Sequence, residues 1–142
     1  MASQFSFFHR APSQRSPLPF FTAPIKAGYP SHADDHIEAS LDLNEHLIQH
    51  PAATFFVRVD GDSMNGAKIQ KGDILIVDRS LQAKTGQIVI AVVDGEFTVK
   101  RIRMGEGKIE LEAENPHYRT IEIAPGADFQ VWGVVTYIIH KT

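Results

Sequence analysis

From Thr54 to the C-terminus, apolar residues come in short runs broken by glycine, proline, aspartate and asparagine. Phe55–Val59, Ile74–Val77, Gln87–Val93, Glu96–Met104, Lys108–Ala113, Arg119–Ile123 and Phe129–Ile139 each read as a strand. Asp94-Gly95 is a two-residue hairpin signal that pairs Gln87–Val93 with Glu96–Met104. Further turns are expected at Gly105-Glu106-Gly107, Asn115-Pro116 and Pro125-Gly126. Such spacing predicts a mostly β, antiparallel fold, curled or barrel-like. Phe129–Val135 is apolar on both faces, which predicts a central or interface position. One stretch has helical spacing, Leu41–His50, with Leu43, Leu47 and Ile48 on one face. Asp42 can cap it and Pro51 stops it. Ser31–Ala39 is polar and acidic and reads as a linker.

The first 33 residues follow no such pattern. They contain no Asp or Glu, and they carry Arg10, Arg15 and Lys26. Five of the eight prolines lie there (Pro12, Pro17, Pro19, Pro24, Pro30), a density that blocks regular helix and central strand. Phe5, Phe7, Phe8, Phe20 and Phe21 are too many aromatics for a solvated tail. The expectation is an extended arm, residues 1–33, that docks on a surface of its own chain or a partner's. Residues 34–142 then form one β domain.

Composition narrows the field. A length of 142 residues suits one domain with a real core. A net charge of −3 argues against a general nucleic-acid binder. There is no cysteine, which excludes disulfides and thiolate chemistry and is compatible with the cytoplasm. No apolar run approaches the length of a membrane span, and the arm lacks the apolar core of a secretory signal. His46 and His50 stand four apart, but no further ligands are evident nearby, so no metal site is expected.

The candidate chemistry lies in two places. Phe55–Val59 runs into Asp60-Gly61-Asp62-Ser63-Met64-Asn65-Gly66, a turn in which a serine hydroxyl can stand clear of the sheet. Lys100 follows 37 residues after Ser63, room for two or three strands to bring the ends together. A serine is a poor nucleophile until a base takes its proton. Lysine is such a base only when neutral, and burial among Val99, Ile102 and the Ile88–Val93 strand would lower its pKa. Reaching a value of roughly 7 to 8 would cost about 3 to 5 kcal/mol. Backbone N–H groups at the serine turn, those of Ser63 and Met64, could form an oxyanion hole. The plainer reading is also open: Asp-Gly-Asp-Ser is a common turn composition, and Lys beside Arg on a strand is commonly a solvated face. Ala27-Gly28 alone is a flexible joint before Pro30. A calcium loop is excluded, since Met64 and Lys71 occupy ligand positions.

The combination resembles the UmuD type of LexA-related, self-cleaving proteins of bacterial SOS mutagenesis. The resemblance rests on Gly61–Met64, Lys71–Asp78, Gly86–Ala91, Asp94–Arg101, Leu43–Pro51 and Ala27-Gly28. It implies a LexA/signal-peptidase-like curled antiparallel β fold with one short helix. It implies Ser63 as nucleophile, Lys100 as general base, and Ala27–Gly28 as the bond the protein cuts in itself. It further implies a homodimer, stimulation by a RecA–single-stranded-DNA filament, and a processed form that serves a UmuC-like Y-family translesion polymerase. No cofactor, membrane or sequence-specific DNA contact is implied. Three rivals remain at this point. A LexA-like repressor needs a helix-turn-helix domain, for which the 53 residues before Thr54 leave little room. A signal-peptidase-like enzyme would usually carry a membrane anchor. A non-catalytic interaction module would keep the serine and lysine as relics.

Overall fold

The computed structural model describes residues 7–9, 15–21, 24–30 and 37–142. The chain divides into two compact units, residues 11–49 and residues 1–10 with 50–142. Each is described by itself.

The smaller unit holds strands β2 (Leu18–Phe21) and β3 (Ile37–Leu41), paired antiparallel, and helix α1 (Leu43–Leu47). Pro19 fits because a two-stranded sheet consists of edges. Two expectations are corrected here. Residues 37–39 are strand, where a linker was predicted, because Ile37, Ala39 and Leu41 alternate at the strand period and pair with β2; residues 31–36 lie outside the described residues. The helix is shorter than Leu41–His50. Asp42 caps it as expected, accepting from Asn44 N–H at 3.0 Å. Ile48 has already left helical geometry, at φ −117°. His50, before Pro51, is also outside helical geometry, at φ −126° and ψ 80°. Asp42 also accepts from Ser16 N–H at 2.9 Å.

The larger unit adds β1 (Phe7–His9), β4 (Thr54–Arg58), β5 (Ile74–Asp78), β6 (Ile88–Val93), β7 (Glu96–Gly105), β8 (Lys108–Glu112), β9 (Ile121–Ile123) and β10 (Phe129–Ile139). They form one antiparallel sheet in the order β1-β4-β5-β10-β6-β7-β8-β9. The mostly β, antiparallel architecture and the central place of β10 agree with the sequence. Asp94-Gly95 turns β6 into β7 with both residues at positive φ, the geometry a two-residue hairpin demands. Part of the arm does dock on its own chain: β1 pairs with β4, Phe7 opposite Val57 and His9 opposite Phe55.

Two buried clusters fill the unit. Val57, Val59, Met64, Ile69, Leu75, Val77, Ile90 and Val99 form one; Val89, Ala91, Ile102, Leu111 and Val134 form the other. Ile90 in one, between Val89 and Ala91 in the other, shows β6 burying both faces. That is the reason for its unbroken apolar run. β10 curls through two register shifts, one between Val131 and Gly133 and one between Val135 and Tyr137. Two buried aspartates bracket β5. Asp78 receives His50 Nδ1 at 2.6 Å and Ser80 Oγ at 2.6 Å, and Asp73 receives His140 Nδ1 at 2.7 Å. Burial alone would raise the Asp78 pKa, but the hydrogen bonds of Ser80 and His50 outweigh it and hold the carboxyl below its usual value.

Two stability predictions follow from these contacts. A Cβ on Gly133 would sit 2.6 Å from Val77 Cγ1, and Val77 is fully buried. Gly133→Ala should therefore destabilise by about 1 to 3 kcal/mol in urea titration. Gly105→Ala, with open space around it, should stay within about 0.5 kcal/mol. For Asp78 the folded pKa lies below the unfolded one, so its contribution is present at neutral pH and is lost as pH falls through the folded value. Asp78→Asn should lower the melting temperature at pH 7, and its deficit should shrink as pH drops below about 4.

Candidate active site

The serine turn is built from the end of β4. Val59 prolongs the strand, donating to Asp73 O and accepting from Gly72 N–H, both at 2.8 Å. Gly61 then takes φ +116°, which favours glycine. Met64 is 2% exposed and anchors the far side of the turn in the core. Ser63, one residue earlier, is half-buried. A 3₁₀ turn over Asn65–Ala67 follows. Gly66 N–H donates to Glu114 O at 2.7 Å, and a Cβ at Gly66 would stand 2.5 Å from that oxygen. Only glycine permits this approach.

Lys100 comes from β7, in register with the fully buried Val89 of β6, and is itself 7% exposed. Its Nζ lies 3.0 Å from Ser63 Oγ, 2.8 Å from Thr98 Oγ1 and 3.1 Å from Val99 O. All three partners are neutral, and among the described residues no carboxylate pairs with it. Burial pushes its pKa below the ordinary lysine value. The arrangement suits a neutral amine: two N–H bonds go to Thr98 Oγ1 and Val99 O, and the lone pair is left for the Ser63 hydroxyl proton. Among the described residues, the amides of Ser63 and Met64 have no hydrogen-bond acceptor, whereas those of Asn65, Gly66 and Ala67 do. Two unpaired N–H groups beside a hydroxyl can receive an oxyanion. A cleft of about 250 Å³ opens here, lined by the serine turn, Thr98–Lys100 and Tyr118.

The structure thus brings Ser63, Met64 and Lys100 together. Ala27 and Gly28 form an exposed bend in the smaller unit, and a Cβ on Gly28 would touch nothing within 4 Å. His50 bonds Asp78 (2.6 Å), a structural partner. Three residues escaped the sequence reading. Thr98 carried a usable signal, since it stands two before Lys100 on a strand and so shares its face. Asn115 was read only as part of a break with Pro116. It donates from Nδ2 to Asp62 O at 2.9 Å. Tyr118 left no pattern at all; its hydroxyl donates to Asp62 Oδ1 at 2.6 Å. That hydrogen bond, with the charge of Asp62, raises the phenol pKa, so the contact persists into alkaline solution.

Comparison with known proteins shows the family. A model described as Peptidase S24-like matches residues 19–136. Protein ImpA of Salmonella typhimurium is 46% identical over 125 residues, covering 87% of this chain and 84% of that protein. Protein SamA of Salmonella typhimurium strain LT2 is 47% identical over 135 residues, covering 93% and 94%. A LexA repressor of Paracidovorax citrulli is 37% identical over 118 residues, 83% of this chain but 52% of the repressor. The resemblance to UmuD-type proteins is borne out, and the chain belongs to the Peptidase S24-like family.

Proposed function

We propose that the chain is a serine peptidase that cuts itself at Ala27–Gly28. The arm, residues 1–33, carries the bond, and residues 34–142 supply the chemistry. Ser63 is the nucleophile and Lys100 the general base. The observation that carries the reading is the 3.0 Å contact between Lys100 Nζ and Ser63 Oγ, in a site where the amine's partners among the described residues are all neutral.

The steps follow from the positions of the groups. Nζ takes the Ser63 proton as Oγ attacks the carbonyl carbon of Ala27. The amides of Ser63 and Met64 receive the oxyanion. Collapse breaks the Ala27–Gly28 bond, and the Lys100 ammonium returns its proton to the Gly28 amine. The Ser63–Ala27 ester is then hydrolysed by a water that Lys100 deprotonates, and Lys100 returns that proton to Ser63 Oγ as the Ala27 carboxylate leaves. The products are residues 1–27 and 28–142. Ala27 fits a narrow site, and Gly28 lets backbone approach backbone. The likeness to UmuD-type proteins supports the rest of the reading. The processed form would be a homodimeric accessory subunit of an error-prone, UmuC-like translesion polymerase in the SOS response, with cutting stimulated by a RecA–single-stranded-DNA filament. Among the described residues no helix is long and apolar enough to cross a membrane.

Intact mass spectrometry tests the bond and the pair together. Wild-type protein should yield a new N-terminus at Gly28. Ser63→Ala and Lys100→Ala should each slow the cut by at least about a hundredfold. Lys100→Arg should fail as well, since a guanidinium does not deprotonate; a cut at the wild-type rate in that variant would remove lysine from the mechanism.

The pH dependence has a definite sign. The neutral fraction of Lys100 grows with pH, so unaided cleavage should be slow at neutral pH and rise in alkali. A filament that binds the engaged state more tightly should move that curve to lower pH without moving the cut.

The base should also leave a mark on stability. The unfolded state holds the Lys100 proton more tightly than the folded state, so stability rises with pH between the two pKa values. Lys100→Met should melt at a higher temperature than wild type at pH 7, and the advantage should narrow as pH approaches about 10.4. Equal melting temperatures at pH 7 would show that the amine carries no burial cost.

A further inference from the structure

The segment Glu114–Tyr118 touches the serine turn at three points. Gly66 N–H reaches Glu114 O at 2.7 Å, Asn115 Nδ2 reaches Asp62 O at 2.9 Å, and Tyr118 Oη reaches Asp62 Oδ1 at 2.6 Å. The same segment is tied to β7 through Arg101, the residue after Lys100. Arg101 Nε donates to the Glu114 carboxylate, and its Nη1 donates to Gly86 O at 2.6 Å. Asn115 is 6% exposed, and both ends of its amide are engaged: Oδ1 accepts from His117 N–H at 2.9 Å while Nδ2 donates to Asp62 O.

We infer that Asn115 and Tyr118 are positioning residues, a strut that couples the turn bearing the nucleophile to the strand bearing the base. This rests on the proposed roles of Ser63 and Lys100. The reason is geometric. Asp62 C=O and Ser63 N–H belong to one planar, trans peptide, so a donor that fixes the carbonyl also fixes the N–H, pointing the opposite way. Asn115 and Asn65 N–H both donate to that carbonyl. They thereby aim the Ser63 amide, one of the two groups assigned to the oxyanion. Tyr118 holds the Asp62 side chain and so restrains the turn just beyond Gly61, which takes φ +116°. Gly66 supplies the third point, where any side chain would strike Glu114 O.

The test uses the full chain and two readouts. One is self-cleavage by intact mass; the other is labelling of Ser63 by diisopropyl fluorophosphate, which needs no docked arm. Both are followed from neutral to alkaline pH, with Ser63→Ala as the blank, and melting temperatures are recorded. Tyr118 is largely exposed, so Tyr118→Phe loses one hydroxyl and keeps the fold. It should lower the alkaline plateau of both rates about three- to tenfold, the worth of one hydrogen bond. The midpoint of the rise should not move, because Lys100 is untouched, and the melting temperature should hold. Asn115→Ala should lower the plateau further. Asn115→Asp, which keeps the shape but removes the donor, should not rescue it, whereas Asn115→Gln should restore part of the rate if its amide reaches Asp62. Unchanged plateaus in Tyr118→Phe, or a shifted midpoint in place of a lowered plateau, would overturn the strut while leaving the Ser63–Lys100 reading intact. Absence of labelling and cleavage in the parent chain would overturn that reading, and the strut with it.

Discussion

A buried amine with no anion beside it among the described residues is the constraint around which the larger unit is arranged. Lysine is among the residues least often buried, and when it is, a carboxylate usually accompanies it. Lys100 has Thr98 Oγ1, Val99 O and Ser63 Oγ in that place. A carboxylate would stabilise the fold and lock the proton on. Neutral acceptors satisfy the N–H groups without favouring the charged form over the neutral one nearly as strongly. The site gives up stability to keep a lone pair within reach, and the two apolar clusters must supply the difference.

The sheet explains how such a group is held still. Lys100 is mid-strand, paired with Val89 of β6, and from the next residue, Arg101, β7 is paired by β8 as well. Its position is therefore set by backbone ladders and not by a loop. Ser63 has no such support. It sits on a turn, and turns need tethers. Those tethers arrive from 3₁₀ backbone bonds within the turn and from a distant loop after β8. Nucleophile and base thus differ in rigidity at source, and the loop between β8 and β9 makes up the deficit.

Much of this was legible in the sequence because it depends on local rules. Period-two apolar runs and Asp94-Gly95 located the hairpin that carries Lys100, and the double-faced apolar run of Phe129–Val135 located the central strand. The pairing of Ser63 with Lys100 needed the family likeness, since spacing of 37 residues permits contact but does not require it. What stayed hidden was made by tertiary contact. Nothing in Asn115-Pro116 says that the asparagine reaches back 53 residues, to Asp62. The helix boundary failed for a similar reason: the proline at position 51 was expected to stop the helix at His50, but its influence on the preceding residues, with β3 claiming Leu41, left only Leu43–Leu47. Residues 37–39 looked like a linker because their charge was weighed above their alternation.

The pairing of β1 with β4 has a consequence for any scission at Ala27–Gly28. Residues 7–9 lie upstream of that bond, so the strand that covers the outer edge of β4 belongs to the segment that would be released. While the chain is continuous, β1 meets β4 within one molecule and bears no cost of association. After a cut, β1 on β4 and β2 on β3 both become contacts between separate molecules, and these must bear the full entropic cost of association. Release of that fragment would change β4 from an inner strand to an edge strand, presenting a row of backbone N–H and C=O groups that the intact chain keeps paired.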